Sequence, residues 1–183
     1  MRLENGKAAV NFSSHDIGGR TISLTDYTDK YLLLSFYRFA SCPFCNLRVH
    51  EMSQRYAELH ARGLEMVAVF QSPADKILKY AGSVQRPFPI IADPDRRLYR
   101  AYGVETSWAG LARAVVTRFP DLLRAVFAEG FLPGTIEGEI QRLPADFLIG
   151  PDSRVLHAYY GRDIGDHMPL QYIERYMAGS QTP

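Results

Sequence analysis

This sequence has few cysteines, almost no net charge and no long apolar segment. Its 183 residues include only two cysteines, too few for the disulfide framework of a small secreted protein. The 21 basic and 20 acidic residues leave a formal charge of +1 with no basic stripe, so we expect neither nucleic acid nor an anionic membrane as a partner. No apolar run is long enough to span a bilayer, and residues 1–7 lack the apolar region of a signal peptide. These absences together predict a cytoplasmic protein.

Predicted strands and helices alternate along the chain, whose length favours one domain over residues 1–183. The apolar run at residues 30–37 predicts a buried central strand, and residues 43–62 repeat apolar side chains at helical spacing. A second buried strand follows at residues 64–70, and Ser72-Pro73 then opens a helix with a hydroxyl cap. Because parallel neighbouring strands need a crossover connection, this order predicts an α/β fold with a central mixed sheet flanked by helices.

Further elements complete the predicted fold. Residues 8–24 alternate apolar and polar side chains around Gly18-Gly19, which predicts an N-terminal hairpin. Residues 107–129 predict an amphipathic helical insertion broken at Pro120, whose apolar side chains we expect mainly to cover the core. Only residues 178–183 are expected to fray. The remaining predicted elements are a short strand, a short helix, an antiparallel hairpin and a last helix, over residues 88–92, 95–102, 145–160 and 170–177.

The two cysteines lie in the segment Cys42-Pro43-Phe44-Cys45, where the central strand gives way to a helix. Cys42 precedes the helix, where free backbone N–H groups and the helix dipole favour a thiolate, so we expect its pKa below the free value of about 8.5. Cys45 lies one turn inside on the apolar face, which predicts a more buried sulfur still able to attack a mixed disulfide at Cys42. Their disulfide would close too small a loop to add much stability, which favours a bond that is made and broken.

Two other interpretations of the cysteine pair deserve comparison. Two ordinary buried cysteines are nearly as common for a bare C-x-x-C, but a strand-to-helix junction with proline at the first helical position is typical of redox motifs. A structural zinc site needs four ligands, and the five histidines include no closely spaced pair. The sequence therefore predicts a redox pair with no metal and no organic cofactor.

Several segments carry a resemblance to a known family over nearly the whole chain. They are Ser23-Leu24-Thr25-Asp26-Tyr27, Phe36-Tyr37-Arg38 through Cys42-Pro43-Phe44-Cys45-Asn46, Ile91-Ala92-Asp93-Pro94-Asp95 with Ala101-Tyr102-Gly103-Val104, and Leu143-Pro144-Ala145-Asp146-Phe147-Leu148-Ile149. With them the sequence resembles the peroxiredoxin-like branch of the thioredoxin superfamily, the alkyl hydroperoxide reductase and thiol-specific antioxidant group. The resemblance implies a thioredoxin-like fold and the reduction of disulfides or peroxides, with a thioredoxin- or glutathione-type reductant. It leaves the oligomeric state open, with a homodimer as one option.

The resemblance also implies roles for single residues. Pro144 is expected to form a cis peptide bond and to face the cysteines in a substrate groove, although most X–Pro bonds are trans. The peroxidatic cysteine of ordinary peroxiredoxins falls on Cys45, while their threonine and proline fall on Cys42 and Arg38, so the peroxide motif is altered. The arginine that peroxiredoxins place just before the late strand falls on Pro144. Arg38 or Arg142 is a candidate to supply the missing positive charge, although a solvated surface arginine is the commoner case.

Three functions stay open at this point. In the favoured one, Cys42 attacks an oxidised sulfur or a peroxide oxygen, and Cys45 resolves the product. In the second, a peroxidase, Cys45 attacks first and Cys42 resolves. In the third, the chain is a non-catalytic binding module whose interface is the helical insertion. Trp108, at the start of that insertion, is a candidate lid over the cysteines or a packing residue. Nothing in the sequence places the pair Asp166-His167 near the cysteines.

Overall fold

The structure, a computed structural model, describes residues 1–80 and 86–178. Of the tail expected to fray, residues 179–183 lie outside these ranges. Across the described ranges, no helix is both long and apolar enough to cross a membrane. The strands of these ranges are β1 (Ser13–His15), β2 (Thr21–Ser23), β3 (Tyr31–Phe36), β4 (Leu64–Phe70), β5 (Ile90–Ala92), β6 (Ala145–Ile149) and β7 (Val155–Tyr160). The α-helices are α1 (Pro43–Ala61), α2 (Ala74–Tyr80), α3 (Arg97–Ala101), α4 (Trp108–Thr117), α5 (Phe119–Leu123) and α6 (Leu170–Met177).

Five strands form a central mixed sheet in the order β5-β4-β3-β6-β7. The pairs β3–β4 and β4–β5 are parallel, whereas β6 joins β3 and β7 in antiparallel fashion. The chain returns from β3 to β4 through α1 and from β4 to β5 through the segment that holds α2, because parallel neighbours cannot be joined by a tight turn. The predicted arrangement of a mixed sheet flanked by helices is confirmed.

The N-terminal hairpin is a separate two-stranded sheet in which β1 pairs antiparallel with β2. The Asp16 carboxylate accepts the backbone N–H groups of Gly18 and Arg20, each at 2.9 Å, and so fixes the turn. Gly19 has a φ of +83°, in the left-handed region that glycine adopts at no steric cost. The hairpin predicted around the two glycines is therefore confirmed.

Apolar layers cover both faces of the central sheet, and strand β3 contributes to each of them. Leu33 on β3 and Tyr37, just beyond the end of β3, pack into the apolar layer beneath α1. The same layer holds both cysteines. Leu32, Leu34 and Phe36 pack into the opposite layer. This alternation follows from the two-residue period of a strand, and it places the cysteine pair inside a core layer.

The insertion forms α4, α5 and a single π-helical turn at Arg124–Ala128. The expectation that its apolar side chains mainly cover the core is wrong for several of them, because only one narrow face of these short helices docks. Ala114 and Ala125 are buried, whereas Val116 is 80% and Phe127 is 81% exposed.

Candidate active site

The cysteine pair lies at the junction between β3 and α1. Cys42 is the residue before the first helical residue, Pro43, and Cys45 lies in the first turn of α1. Both are free thiols, and both are buried, with 0% of Cys42 and 1% of Cys45 exposed. The prediction that Cys42 is the more exposed of the two is therefore wrong.

The surroundings of Cys42 favour its thiolate. Arg38 Nη1 donates a hydrogen bond to Cys42 Sγ at 3.3 Å. Burial raises the pKa of Cys42, but the hydrogen bond from the Cys45 thiol, the charge of Arg38 and the backbone N–H groups of Cys45 and Phe44 outweigh it and lower the pKa to about 6. The downward direction expected for the pKa of Cys42 is confirmed, with the Cys45 thiol and Arg38 contributing more than the backbone N–H groups at the start of the helix.

Cys45 has the opposite electrostatic character. Burial raises its pKa well above the ordinary value, and the neighbouring Cys42 thiolate raises it further. The backbone N–H of Arg38 donates to Cys45 Sγ at 3.4 Å, which offsets only part of this effect. The two shifts run in opposite directions and favour ionisation of Cys42 over that of Cys45, the order needed for an attacking and a resolving thiol.

Arg38 is buried beside the sulfurs rather than solvated, with only 3% of the residue exposed. Its guanidinium lies 4.8 Å from the centre of the Phe39 ring, and its Nη2 donates to the backbone carbonyl of Ile140. Arg142 is also buried, but it donates to the carbonyl of Val104 and lies over the ring of Tyr99. Of the two candidate arginines, Arg38 is the one that the structure brings to Cys42.

Residues 131–142, here called the cover segment, lie against the loop that carries Cys42. The segment contains no helix or strand, and sequence periodicity gave no sign of its position. Its backbone and one of its carboxylates accept hydrogen bonds from residues that flank the cysteines or follow β4. These bonds run from Ser41 Oγ to the Thr135 carbonyl at 2.6 Å, from Arg38 Nη2 to the Ile140 carbonyl, from Ser72 Oγ to the Glu137 carboxylate at 2.9 Å, and from Gln71 Nε2 to the Glu139 carbonyl at 2.9 Å.

The hydroxyl of Ser72 differs from its predicted role. Instead of capping α2, it accepts the backbone N–H of Ala40 at 2.8 Å and donates to Glu137. Asn46 supports the same loop from α1, because its Nδ2 donates to the Ala40 carbonyl at 2.8 Å. The loop that carries Cys42 is thus braced from two sides.

Pro144 and Trp108 are placed differently from their predicted roles. The described residues contain no cis peptide bond, so the bond before Pro144 is trans, the lower-energy isomer of most X–Pro bonds, and the cis expectation is wrong. The Pro144 carbonyl accepts the backbone N–H of Gly161 at 2.9 Å. Trp108 is 66% exposed at the start of α4, so much of it lies in solvent, which does not fit a lid over the buried Cys42.

A buried carboxylate and a histidine lie side by side under the same end of α1. Asp146 on β6 is 1% exposed and lies 3.1 Å from His167 Nδ1, and its carboxylate accepts the Met168 backbone N–H at 2.7 Å. The His167 ring is 4.8 Å from that of Tyr37, and it lines a cleft of about 230 Å³ together with Phe44. Burial raises the pKa of Asp146, but the charge and hydrogen bond of His167 lower it below the ordinary value. The sequence drew attention to the neighbours Asp166 and His167 and missed Asp146. The reason is that the hydrogen-bonded pair of Asp146 and His167 joins residues 21 positions apart.

A family model and several individual proteins match this chain. The AhpC/TSA family model matches residues 5–158, which is most of the chain. A peroxiredoxin of Mycobacterium tuberculosis H37Rv is 28% identical over 102 residues, which are 56% of this chain and 65% of that protein. The thiol-disulfide oxidoreductase ResA of Halalkalibacterium halodurans is 30% identical over 100 residues, 54% of this chain and 56% of that protein. The chain thus spans less than two thirds of the length of either relative.

The fold has a close counterpart among solved structures. The crystal structure of peroxidoxin BcpB from Mycobacterium tuberculosis superposes with a TM-score of 0.69 at 15% identity, covering 99% of this chain and 100% of that one. This likeness confirms the predicted thioredoxin-like fold. Together with the family match across residues 5–158, it leads to one conclusion: the chain belongs to the AhpC/TSA family.

Proposed function

We propose that this protein is a thiol-dependent oxidoreductase that reduces peroxides or disulfides by cycling Cys42 and Cys45 between dithiol and disulfide. The observation that carries the proposal is the hydrogen bond from Arg38 Nη1 to Cys42 Sγ at 3.3 Å, next to a second, protonated thiol. An ionised nucleophile beside a resolving thiol is what such a cycle needs. The peroxiredoxin and thiol-disulfide oxidoreductase names of the relatives support the same chemistry.

With a hydroperoxide, the Cys42 thiolate attacks an oxygen atom, and the O–O bond breaks. The sulfur becomes a sulfenic acid, and the departing oxygen takes up a proton to leave as an alcohol or as water. The Cys45 thiol then displaces hydroxide from the Cys42 sulfur, so that the disulfide forms and one water leaves. In total, two electrons pass from the two cysteines to the peroxide.

With a disulfide substrate, the same thiolate attacks one sulfur and expels the other as a thiolate. Cys45 loses its proton and attacks the Cys42 sulfur of the mixed disulfide, which releases the second half of the substrate as a thiol. In both versions an external dithiol of the thioredoxin type, or two glutathione-type thiols, returns two electrons to the pair. We propose a reducing, cytoplasmic setting for this cycle, and a homodimer stays a prediction of the family resemblance.

A peroxidase that uses Cys45 first is the second candidate function. It is favoured by the hydrogen bond from the Arg38 backbone N–H to Cys45 Sγ and by the family position of the peroxidatic cysteine. The raised pKa of Cys45 works against it, because little thiolate is present at neutral pH. A non-catalytic module would have unperturbed thiols, and the lowered pKa of Cys42 argues against that alternative.

Turnover of the wild type and of two variants tests the proposal. We expect Cys42→Ser to lower peroxide or disulfide turnover by on the order of 100-fold or more, because it removes the nucleophile. Cys45→Ser keeps the first reaction at Cys42 but loses multiple turnover with a dithiol reductant. Equal activity of the Cys42→Ser variant and the wild type would overturn the assignment of Cys42. Absence of turnover in the wild type with both substrate classes would support the binding module instead.

A further inference from the structure

A cleft of about 230 Å³ opens beside the cysteine pair, between one face of α1, the insertion and the loop before α6. Phe44 is a wall of this cleft and lies between Cys42 and Cys45 in the chain, so the cleft begins at the reactive site. A space of this size takes a small molecule, whereas a folded protein would only cover it. The other lining residues are Leu47, Arg48 and Glu51 on α1, Arg118 and Asp121 at the insertion, and Gly165 and His167 in the loop.

The character of the lining changes along α1. Phe44, Arg48 and Glu51 line the cleft from successive turns of this helix. With a rise of 1.5 Å per residue, Arg48 lies about 6 Å and Glu51 about 10 Å along the helix axis from Phe44. The lining is therefore apolar near the cysteines, then positive, then negative. A ligand that matches this order has an uncharged end near the cysteines, followed by a negative and a positive group.

Arg48 supplies the positive charge that the cleft offers to a ligand. Its Nη2 donates to the backbone carbonyl of Met168 at 2.7 Å, and in the described parts of the chain it forms no ion pair with an acidic side chain. The other arginine of the lining is occupied, because Arg118 lies 2.6 Å from Asp163 and 3.3 Å from Asp166. A guanidinium carries five donors in a planar fork that matches a carboxylate. The remaining donors of Arg48 therefore fit a carboxylate of the ligand.

His167 and Glu51 supply acceptors to the same cleft. The Nδ1 of His167 lies 3.1 Å from the Asp146 carboxylate, which only accepts, so Nδ1 carries the ring hydrogen. The Nε2 of the neutral ring is therefore an acceptor and is the ring nitrogen left for a ligand. Glu51 accepts from Arg124 Nη1 at 3.1 Å through Oε1. Its Oε2 stays available to a cationic group of the ligand.

We propose that this cleft binds the reductant of the cycle, a low-molecular-weight peptide thiol that carries a carboxylate and an ammonium group. Arg48 holds the carboxylate and Glu51 the ammonium group, while the thiol lies toward Phe44 and His167 Nε2. The inference rests on the proposed function, and it names the small thiol rather than a thioredoxin-type protein as the electron donor. The cleft supplies the binding step that brings this thiol to the cysteine pair.

The electrons and protons of this step balance with two molecules of the thiol. The first thiol gives its proton to His167 Nε2, attacks one sulfur of the Cys42–Cys45 disulfide and expels the other as a thiolate. The proton returns through water to the expelled sulfur. The second thiol attacks the ligand sulfur of the mixed disulfide, so that the ligand leaves as its own disulfide and the remaining cysteine is released with a proton. Two thiols thus lose the two electrons that the cysteine pair gains.

Binding of an unreactive analogue tests the cleft with no turnover required. S-methylglutathione has the carboxylates and the ammonium group of glutathione but no thiol, and calorimetry measures its affinity for the reduced protein. We expect its diethyl ester, which lacks the carboxylate charges, to bind about tenfold more weakly, because a charge-assisted hydrogen bond to Arg48 is lost. Arg48→Met should weaken binding of the free acid by a similar factor, on the order of tenfold, for the same reason.

A matched control separates the cleft from the general loss of a positive charge. Arg55 lies on the same helix, pairs with Glu58 and Glu174 at 2.8 Å each, and is not part of the cleft lining. Arg55→Met removes the same charge, and we expect it to leave the affinity for S-methylglutathione unchanged. Should Arg48→Met fail to fold, the comparison of free acid and ester on the wild type still decides the proposal.

Reduction of the disulfide form links the cleft to the cycle. The rate with glutathione, divided by the rate with the uncharged dithiothreitol, should fall about tenfold in Arg48→Met and stay at the wild-type value in Arg55→Met. The proposal is overturned if S-methylglutathione does not bind at about 10 mM, if acid and ester bind alike, or if the two arginine variants behave alike. Binding does not depend on turnover, so a wild type that binds the analogue but turns over neither substrate class would refute the function and leave the cleft standing. An active wild type that fails to bind the analogue would refute the cleft alone.

Discussion

At the scale of single residues, Arg38 and the Cys45 thiol together favour the negative charge on the reactive sulfur. The Arg38 guanidinium is buried and donates a hydrogen bond to Cys42 Sγ, whereas the guanidinium of a surface arginine is surrounded by water. A buried cation next to a sulfur stabilises the thiolate more strongly than it would in water, because the surrounding dielectric is low. The proposed nucleophile is therefore a product of this contact as much as of the helix start.

Replacing Arg38 with methionine should raise the pKa of Cys42 from about 6 toward the free value of about 8.5. The thiolate fraction near pH 6 would then fall by on the order of tenfold. Thiolate absorbance near 240 nm, followed across a pH titration, measures this shift. Arg142→Met is the matched control, because it removes a buried arginine that contacts Val104 and Tyr99 instead. Equal titration curves for the two variants would show that Arg38 does not set the charge.

The buried pair of Asp146 and His167 gives a second prediction for single residues. Asp146→Asn should destabilise the fold by about 1–3 kcal/mol at neutral pH, because a buried hydrogen-bonded carboxylate is lost. The pKa of Asp146 is lowered in the folded protein, so its contribution is present above the ordinary value of 3.8 and is lost as pH falls below that value. Urea unfolding of both proteins from pH 7 down to about pH 3 checks the trend. A stability difference that widens toward acid would contradict it.

The sequence predicted the ionisation of Cys42 better than it predicted the burial of that residue. The position of Cys42 before a helix is a local feature, and it correctly indicated a lowered pKa. The burial of Cys42 depends on contacts between residues far apart in the chain, such as Ser41 with Thr135, 94 positions away, and Arg38 with Ile140, 102 positions away. No periodic pattern encodes such contacts.

At the scale of elements, the insertion is held by charge as well as by its few buried apolar side chains. Arg118, just after α4, donates from Nε to Asp163 at 2.6 Å and from Nη2 to Asp166 at 3.3 Å. Its apolar neighbours Val116 and Phe119 are 80% and 54% exposed. The amphipathic pattern correctly indicated helices but not which face docks, since that depends on the loop before α6.

Arg118→Ala should therefore loosen α4 and α5 more than the rest of the molecule. Loss of the guanidinium leaves the buried Asp163 carboxylate without its close partner, and we expect about 1–3 kcal/mol of destabilisation. Hydrogen exchange of residues 108–123 should speed up, with the central sheet little changed. Arg113→Ala is the matched control, because the Arg113 Nε lies farther from the same carboxylate, at 4.0 Å instead of the 2.6 Å of Arg118. Equal exchange in the two variants would refute a specific role for Arg118.

At the scale of the whole molecule, alternating strands and helices were enough to predict the α/β class and the mixed sheet. The strand order β5-β4-β3-β6-β7 lies beyond such local patterns, because it depends on which edges pair, and only the structure gives it. Strand β3 packs into both apolar layers, so we propose that the chain unfolds as one domain.

The ionisation of Cys42 should appear in the stability of the whole reduced protein. Its pKa is about 6 when folded, below the ordinary value, so the thiolate contributes stability that is present at high pH and is lost as pH falls through about 6. The free energy of unfolding of the reduced wild type, relative to Cys42→Ser, should therefore rise between about pH 6 and pH 9. Urea unfolding under reducing conditions measures this difference. A flat difference across that range would mean that Cys42 is not ionised in the fold.

The most direct test of the two-thiol cycle is to trap its first product. Reduced Cys45→Ser protein is treated with one equivalent of hydroperoxide and a sulfenic-acid probe, and Cys42→Ser is treated in parallel, with the modified peptide identified by mass. The predicted result is a probe adduct on Cys42 in the first variant and little or none on Cys45 in the second. An adduct that forms rapidly on Cys45 and not on Cys42 would reverse the assigned roles and contradict the proposed mechanism.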